Sequence, residues 1–252
     1  MDTAPDYLDR SGRPRLAYRH VAGTGPAIVF LPGYMSDMAG GKATALFDWA
    51  AAEGRSCLLL DYAGCGLSDG LFADQTLLDW RGDVLDLIDA RIKGPVVIVG
   101  SSMGGWLMLL AALALVQRDG PGRVAALVGI AAAPDFTDWG FSNAEKAIIL
   151  AEGELREETS YSDQPYVTTR GFFQSGEASR LLANEIPLTC PVRLLHGQED
   201  GDVPGEISLR LSAVLASSDV QVTLVKGGDH RLSRDTDIAL LIDTVARLAT
   251  TS

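Results

Sequence analysis

The sequence predicts an α/β fold: a mostly parallel central sheet with helices on both faces and a small helical cap insertion late in the chain. Three observations predict it. Short apolar runs alternate with stretches of helical period along most of the 252 residues. Such β-α alternation needs a parallel sheet covered on both faces. The run Gly100-Ser101-Ser102-Met103-Gly104 stands between an apolar run and a helical stretch, the setting of a tight strand–turn–helix elbow. Finally, residues 134–187 interrupt the alternation with a long, aromatic-rich segment.

The elements follow in chain order. Residues 16–22 suit an antiparallel edge strand, 27–31 the first parallel strand and 43–53 a helix. Residues 56–61 form the next strand. The helix over 75–92 carries Leu77, Trp80, Val84 and Ile88 at three- and four-residue spacing, which makes one buried face. A strand over 96–99, a helix over 105–117 and a strand over 123–130 continue the series. Strands over 191–195 and 220–225, with helices over 206–215 and 238–249, complete it.

Residues 134–187 show no clear strand and hold Phe136, Trp139, Phe141, Tyr161, Tyr166, Phe172 and Phe173 among more acidic than basic residues. Connections of that length carry function more often than they merely join elements. The segment is therefore predicted to be a helical cap over the C-terminal edge of the sheet. Residues 1–133 and 188–252 are then the core and 134–187 the cap.

Composition narrows the possible partners. Hydrophobic residues make up 47% and charged residues 21%, which suits one large globular domain. A net charge of −12 argues against nucleic acid and against stable association with an anionic membrane. The apolar run 107–116 falls short of the ~18 residues a membrane span needs. Cys57, Cys65 and Cys190 are too scattered for a disulfide or zinc framework and fit a reducing compartment. Residues 1–10 are acidic, with no apolar core of a secretory signal and no Arg-rich transit character. A cytoplasmic location is the expectation.

The chemistry centres on Ser102, the middle residue of G-x-S-x-G. Small neighbours let strand and helix pass closely, and the turn presents the hydroxyl at a helix N-terminus. A serine hydroxyl needs an adjacent base, and on this topology the chain order is Ser, then Asp or Glu, then His. The chain has three histidines. His20 and His196 precede any acid that could follow the serine on a late strand, so the base is His230, in Gly227-Gly228-Asp229-His230. His196 reads as a local strand-end residue and Asp229 as structural. The stretch His196-Gly197-Gln198-Glu199-Asp200-Gly201-Asp202-Val203-Pro204 offers the acid; its spacing selects Asp200, with Asp202 as competitor. The backbone N–H groups of Met103 and of Tyr34, in the turn after the 27–31 strand, are the expected oxyanion hole. Met35, Met38 and Trp106 are candidates to line an acyl pocket. The Gly-rich run Asp61-Tyr62-Ala63-Gly64-Cys65-Gly66-Leu67-Ser68 lacks the lysine and the spacing of a phosphate cradle and reads as a wall of the site. No metal-ligand cluster is legible.

These residues resemble the α/β-hydrolase superfamily. Within it, four segments resemble the branch of mitochondrial palmitoyl-protein thioesterases and acyl-glucuronide esterases with its bacterial relatives. They are Phe30-Leu31-Pro32-Gly33-Tyr34-Met35-Ser36-Asp37-Met38 with Gly41-Lys42-Ala43, Asp61-Tyr62-Ala63-Gly64, Gly100 through Met108, and Cys190-Pro191-Val192-Arg193-Leu194-Leu195-His196-Gly197; Asp229-His230-Arg231 fits the same branch. The resemblance implies hydrolysis of acyl esters or thioesters, acyl glucuronides among them, with Ser102, Asp200 and His230 at the matching positions and no cofactor. The acidic cap offers no obvious cation for a glucuronate carboxylate, and Lys42, Arg170 and Arg180 are the only candidates. The same triad also serves carbon–carbon bond hydrolysis and perhydrolysis, and a hydrolase scaffold can serve as a ligand-binding receptor.

Overall fold

Runs of Val, Ile and Leu that alternate between two buried faces build the centre of the sheet. In the computed structural model, which describes residues 4–159 and 165–249, strand β3 (Thr24–Leu31) shows this most simply. Ile28 and Phe30 point into one core and Val29 and Leu31 into the other, as the period of two in a strand requires. Both faces are apolar because both are covered by helices.

The remaining strands are β1 (Asp6–Leu8), β2 (Leu16–Val21), β4 (Arg55–Leu60), β5 (Val96–Ser101), β6 (Val124–Ile130), β7 (Glu154–Glu157), β8 (Tyr166–Thr169), β9 (Val192–Gly197) and β10 (Val220–Val225). Eight of them form one sheet in the order β1-β2-β4-β3-β5-β6-β9-β10. Pairing is parallel from β4 through β10 and antiparallel for β1 with β2 and β2 with β4. The 16–22 segment is thus antiparallel as expected. It is not the edge, because three-residue β1 pairs outside it, and so short a strand leaves no periodicity to read.

Helices α1 (Gly41–Ala52) and α8 (Asp235–Leu248) cover one face, α2 (Leu77–Arg91) and α3 (Met103–Asp119) the other. Leu46 and Phe47 of α1 meet Leu241 and Val245 of α8 in the first core. Trp80 and Val84 of α2 meet Trp106 and Leu107 of α3 in the second. Helix α2 starts where Thr76 and Asp79 form a reciprocal capping box. Helix α7 (Gly205–Val214) joins β9 to β10.

Between β6 and β9 lie α4 (Phe136–Trp139), α5 (Asn143–Glu152), β7, β8 and α6 (Arg170–Glu177). The expectation of helices without a clear strand needs correction: β7 and β8 pair antiparallel, from Glu154 opposite Thr169 to Glu157 opposite Tyr166. Strands of four residues are too short to show an alternating pattern. Tyr161, one of the aromatics read from the sequence, lies outside the described residues. The two ends of the segment are tied together by Asp135, a buried residue at a left-handed φ of 60°. Its carboxylate accepts from the backbone N–H groups of Leu181 and Leu182, each at 2.8 Å.

Candidate active site

Ser102 stands where β5 turns into α3, at φ 53° and ψ −120°. That conformation is costly for a residue with a side chain, and the surroundings must hold it. They do so through the backbone: Ser102 N–H donates to Ile130 O at 2.9 Å, and Ser102 O accepts from Gly105 and Ala133 N–H at 2.8 and 3.0 Å. Close approach explains the flanking glycines. A Cβ on Gly104 would lie 2.1 Å from Leu31 O, and one on Gly100 would lie 2.3 Å from Gly104 O. The Ser102 side chain makes no capping bond to its helix. Its hydroxyl faces His230 instead.

His230 is carried by the turn after β10. Gly197, at the end of β9, packs flat against that turn; a Cβ there would lie 2.3 Å from Gly228 O. Glu199 N–H donates to Gly228 O at 2.8 Å. The two loops are therefore stitched edge to edge, which brings Asp200 under the imidazole. Asp229 closes the turn itself, accepting from Leu232 N–H at 2.9 Å.

The three side chains form one hydrogen-bonded line. His230 Nε2 is 3.1 Å from Ser102 Oγ. His230 Nδ1 lies 2.9 and 3.1 Å from the two Asp200 oxygens. Because a carboxylate only accepts, Nδ1 carries the proton and Nε2 is free to accept the serine's. The Asp200 side chain is 1% exposed. Burial pushes its pKa up, but hydrogen bonds from His196, His230 and the Val203 N–H outweigh burial and hold the carboxyl well below the usual range. Asp202, the competing acid, is exposed and supplies its backbone N–H to Asp200 Oδ1 at 2.9 Å. One ligand atom each from Asp200, Asp202 and His230 fall within 4.8 Å of one another. Two of those residues are already engaged in the serine line.

The turn after β3 lies against the nucleophile. A Cβ on Gly33 would sit 3.4 Å from Ser102 Cβ, which puts Tyr34 one residue away from the contact and Met103 directly after Ser102. The Tyr34 side chain has a role that sequence reasoning missed. Its ring packs against Phe72, Trp80, Phe136, Tyr166 and Phe172, and its hydroxyl donates to Val167 O at 2.6 Å. Burial pushes its pKa up, so it stays a donor. Tyr34 thus pins β8 of the insertion to the core, and five partners spread from residue 72 to residue 172 leave no local signal for it.

The expected pocket residues divide. Met35 is half-buried at a φ of 51°. Met38 is packed instead in the core with Phe30, Ala43 and Leu46, its backbone N–H donating to Asp61 at 2.7 Å. Trp106 is likewise wholly buried, stacked edge-on to Phe136 with Nε1 donating to Ser179 O at 3.3 Å. Both readings are corrected to packing, because turn and helix pitch aim these side chains inward. Of the three cations, Lys42 donates to Arg231 O beside His230. Arg180 pairs with Asp138 at 2.6 Å, and Arg170 donates to Leu150 O at 3.0 Å. His20 lies on β2, 3.3 Å from Ser56 Oγ. His196, expected to bond locally at the strand end, places its imidazole 3.2 Å from Asp200 Oδ2.

Comparison with known proteins identifies the family. The alpha/beta hydrolase family profile matches residues 28–248. The human mitochondrial palmitoyl-protein thioesterase ABHD10 is 40% identical over 247 residues, covering 96% of this chain and 79% of the relative. The structure of the mouse alpha/beta hydrolase domain-containing protein 10 superposes with a TM-score of 0.89 at 40% identity, over 98% of both chains. A candidate hydrolase from Agrobacterium vitis S4 superposes at 0.91 with 35% identity, also over 98% of both. No helix among the described residues is long and apolar enough to cross a membrane. The chain belongs to the alpha/beta hydrolase family and is a hydrolase.

Proposed function

We propose that this hydrolase cleaves carboxylic acyl esters or thioesters through an acyl-enzyme on Ser102. The observation that carries the reading is the line from Ser102 Oγ through His230 to Asp200, at 3.1 and 2.9 Å. The relative at 40% identity bears the name of a thioesterase, which supports the sulfur leaving group. Three free thiols, Cys57, Cys65 and Cys190, suit a reducing, cytoplasm-like compartment.

The chemistry balances in two stages. Ser102 Oγ bonds to the acyl carbon as its proton passes to His230 Nε2. The oxyanion accepts from the backbone N–H groups of Tyr34 and Met103, each worth ~3 kcal/mol of barrier. Collapse breaks the bond to oxygen or sulfur, and the proton on Nε2 leaves with the alcohol or thiol. Water then gives a proton to Nε2 and attacks the ester on Ser102; the proton returns to Oγ as the acid departs. Asp200 keeps its negative charge throughout and stabilises the transient imidazolium. Met35, half-buried in the turn after β3, is the side chain assigned to meet the acyl chain in this reading.

Two measurements test this. A fluorophosphonate probe should modify Ser102, located by peptide mass. Ser102→Ala should abolish turnover of p-nitrophenyl acyl esters and acyl thioesters while leaving the melting curve intact. Labelling elsewhere, or a folded variant that keeps most of its activity, refutes the assignment. A panel of esters, thioesters and acyl glucuronides then ranks leaving groups.

A further inference from the structure

We infer that His196 is a positioning residue for Asp200, a second imidazole at the carboxylate oxygen that His230 also meets. The inference rests on the proposed roles of Ser102, His230 and Asp200, and concerns a residue outside that line.

His196 is fully buried at the end of β9, and both of its ring nitrogens are engaged. Nδ1 lies 2.7 Å from Ser208 Oγ of α7, itself buried. Nε2 lies 2.9 Å from Val203 O and 3.2 Å from Asp200 Oδ2. A carbonyl oxygen only accepts, so Nε2 carries a proton. That proton is aimed at Val203 O and passes beside the carboxylate.

The consequence is a closed bracket. Val203 O accepts from His196, and Val203 N–H donates to Asp200 Oδ1 at 2.9 Å. The same short loop is therefore held by the imidazole and in turn holds the acid. Oδ1 also accepts from Asp202 N–H at 2.9 Å, while Oδ2 faces both imidazoles. Ser208 fixes the ring from behind, so its orientation is set by β9 and α7 rather than by the loop it supports. Merely filling space would not require two satisfied ring nitrogens on a fully buried histidine, since a buried aromatic hydrocarbon fills the same volume without that demand.

The bracket has an electrostatic sign. The charged groups around His196 are Asp200 on its own loop, Glu206 of α7, and His230 across the shared carboxylate. A donor on Oδ2 spreads the carboxylate's charge and leaves less of it for the His230 imidazolium. Removing that donor makes Asp200 a stronger partner for the His230 imidazolium. The loop also becomes free to move, which misaligns the base.

The experiment compares His196→Phe, which keeps the ring volume without a donor, His196→Gln, which keeps a donor near Nε2, and Ser208→Ala, which frees the back of the ring. Each is checked for fold by circular dichroism and thermal melting. His230 is then titrated by nitrogen-correlated NMR, and kcat, KM and the pH profile are measured on a p-nitrophenyl ester. His196→Phe should lower kcat on the order of tenfold with KM little changed. The acid limb of kcat/KM and the His230 titration should move up together by about half a pH unit or more. His196→Gln should recover most of both effects, and Ser208→Ala should shift the His230 titration in the same direction by less. A folded His196→Phe with unchanged kcat and unchanged His230 titration overturns the inference. If His196→Phe does not fold, an unshifted titration in folded Ser208→Ala does so. The NMR titration needs no turnover. A wild-type protein that hydrolyses nothing would therefore refute the proposed activity while His196 is still tested.

Discussion

Replacing Asp200 by Asn tests the polar logic of the site at one atom. The carboxylate is surrounded only by donors: the N–H groups of Asp202 and Val203 on Oδ1, and the imidazoles of His230 and His196 at Oδ2. Asn offers one acceptor oxygen and one NH2 group. If the oxygen keeps the two backbone bonds, the NH2 faces His230 Nδ1, which must give up its proton to accept. The proton then sits on Nε2, and His230 can no longer take one from Ser102. The wrong tautomer of a triad histidine costs on the order of 10⁴ in kcat. The NH2 group also meets His196 Nε2, whose proton keeps Val203 O as its acceptor. The pH dependence has a definite sign. The Asp200 pKa is lowered by folding, so its charge stabilises the fold above the ordinary carboxylate range. That contribution is lost as pH falls through the depressed folded value. The stability gap between wild type and Asp200→Asn should therefore be full at neutral pH and shrink in strong acid. Stopped-flow ester hydrolysis and urea titrations from pH 7 downward measure both. An Asp200→Asn enzyme within tenfold of wild type in kcat would refute the tautomer argument.

Three further outcomes follow from the same geometry. Gly104→Ala should unfold or strongly destabilise the protein, because its Cβ would lie 2.1 Å from Leu31 O; a melting temperature near wild type would contradict the close approach at the elbow. Tyr34→Phe keeps the backbone N–H but loses the hydroxyl bond to Val167 O. It should cost about 0.5–1.5 kcal/mol in denaturant midpoint while retaining most of kcat, and a kcat loss of a hundredfold would show that the hydroxyl acts on the reacting atoms. The thiols should resist modification: burial pushes Cys57 and Cys65 up to about 12 and Cys190 up to about 11. Native protein at pH 8 should react slowly with Ellman's reagent and release all three only on denaturation; rapid reaction of one thiol would mean that its pocket opens.

Local pattern alone determined the main elements. Val, Ile and Leu runs marked the inner strands, and the glycines around Ser102 marked the elbow, since both signals depend on neighbours within a few residues. Topology then ordered the nucleophile, acid and base, and a scarcity of histidines left His230 for the last role. Tertiary structure decided what depends on residues far apart in the chain. Asp200 meets the His230 imidazole because Gly197 lets the β9 and β10 loops lie edge to edge. Tyr34 faces rings from residue 72 to residue 172, and the β7–β8 pair exists only because each four-residue strand finds the other. Met38 and Trp106 turn into the core instead of toward a substrate because their direction is set by the turn and the helix pitch. Residue type proposes a chemistry; the direction in which the packed backbone aims the side chain selects its partner.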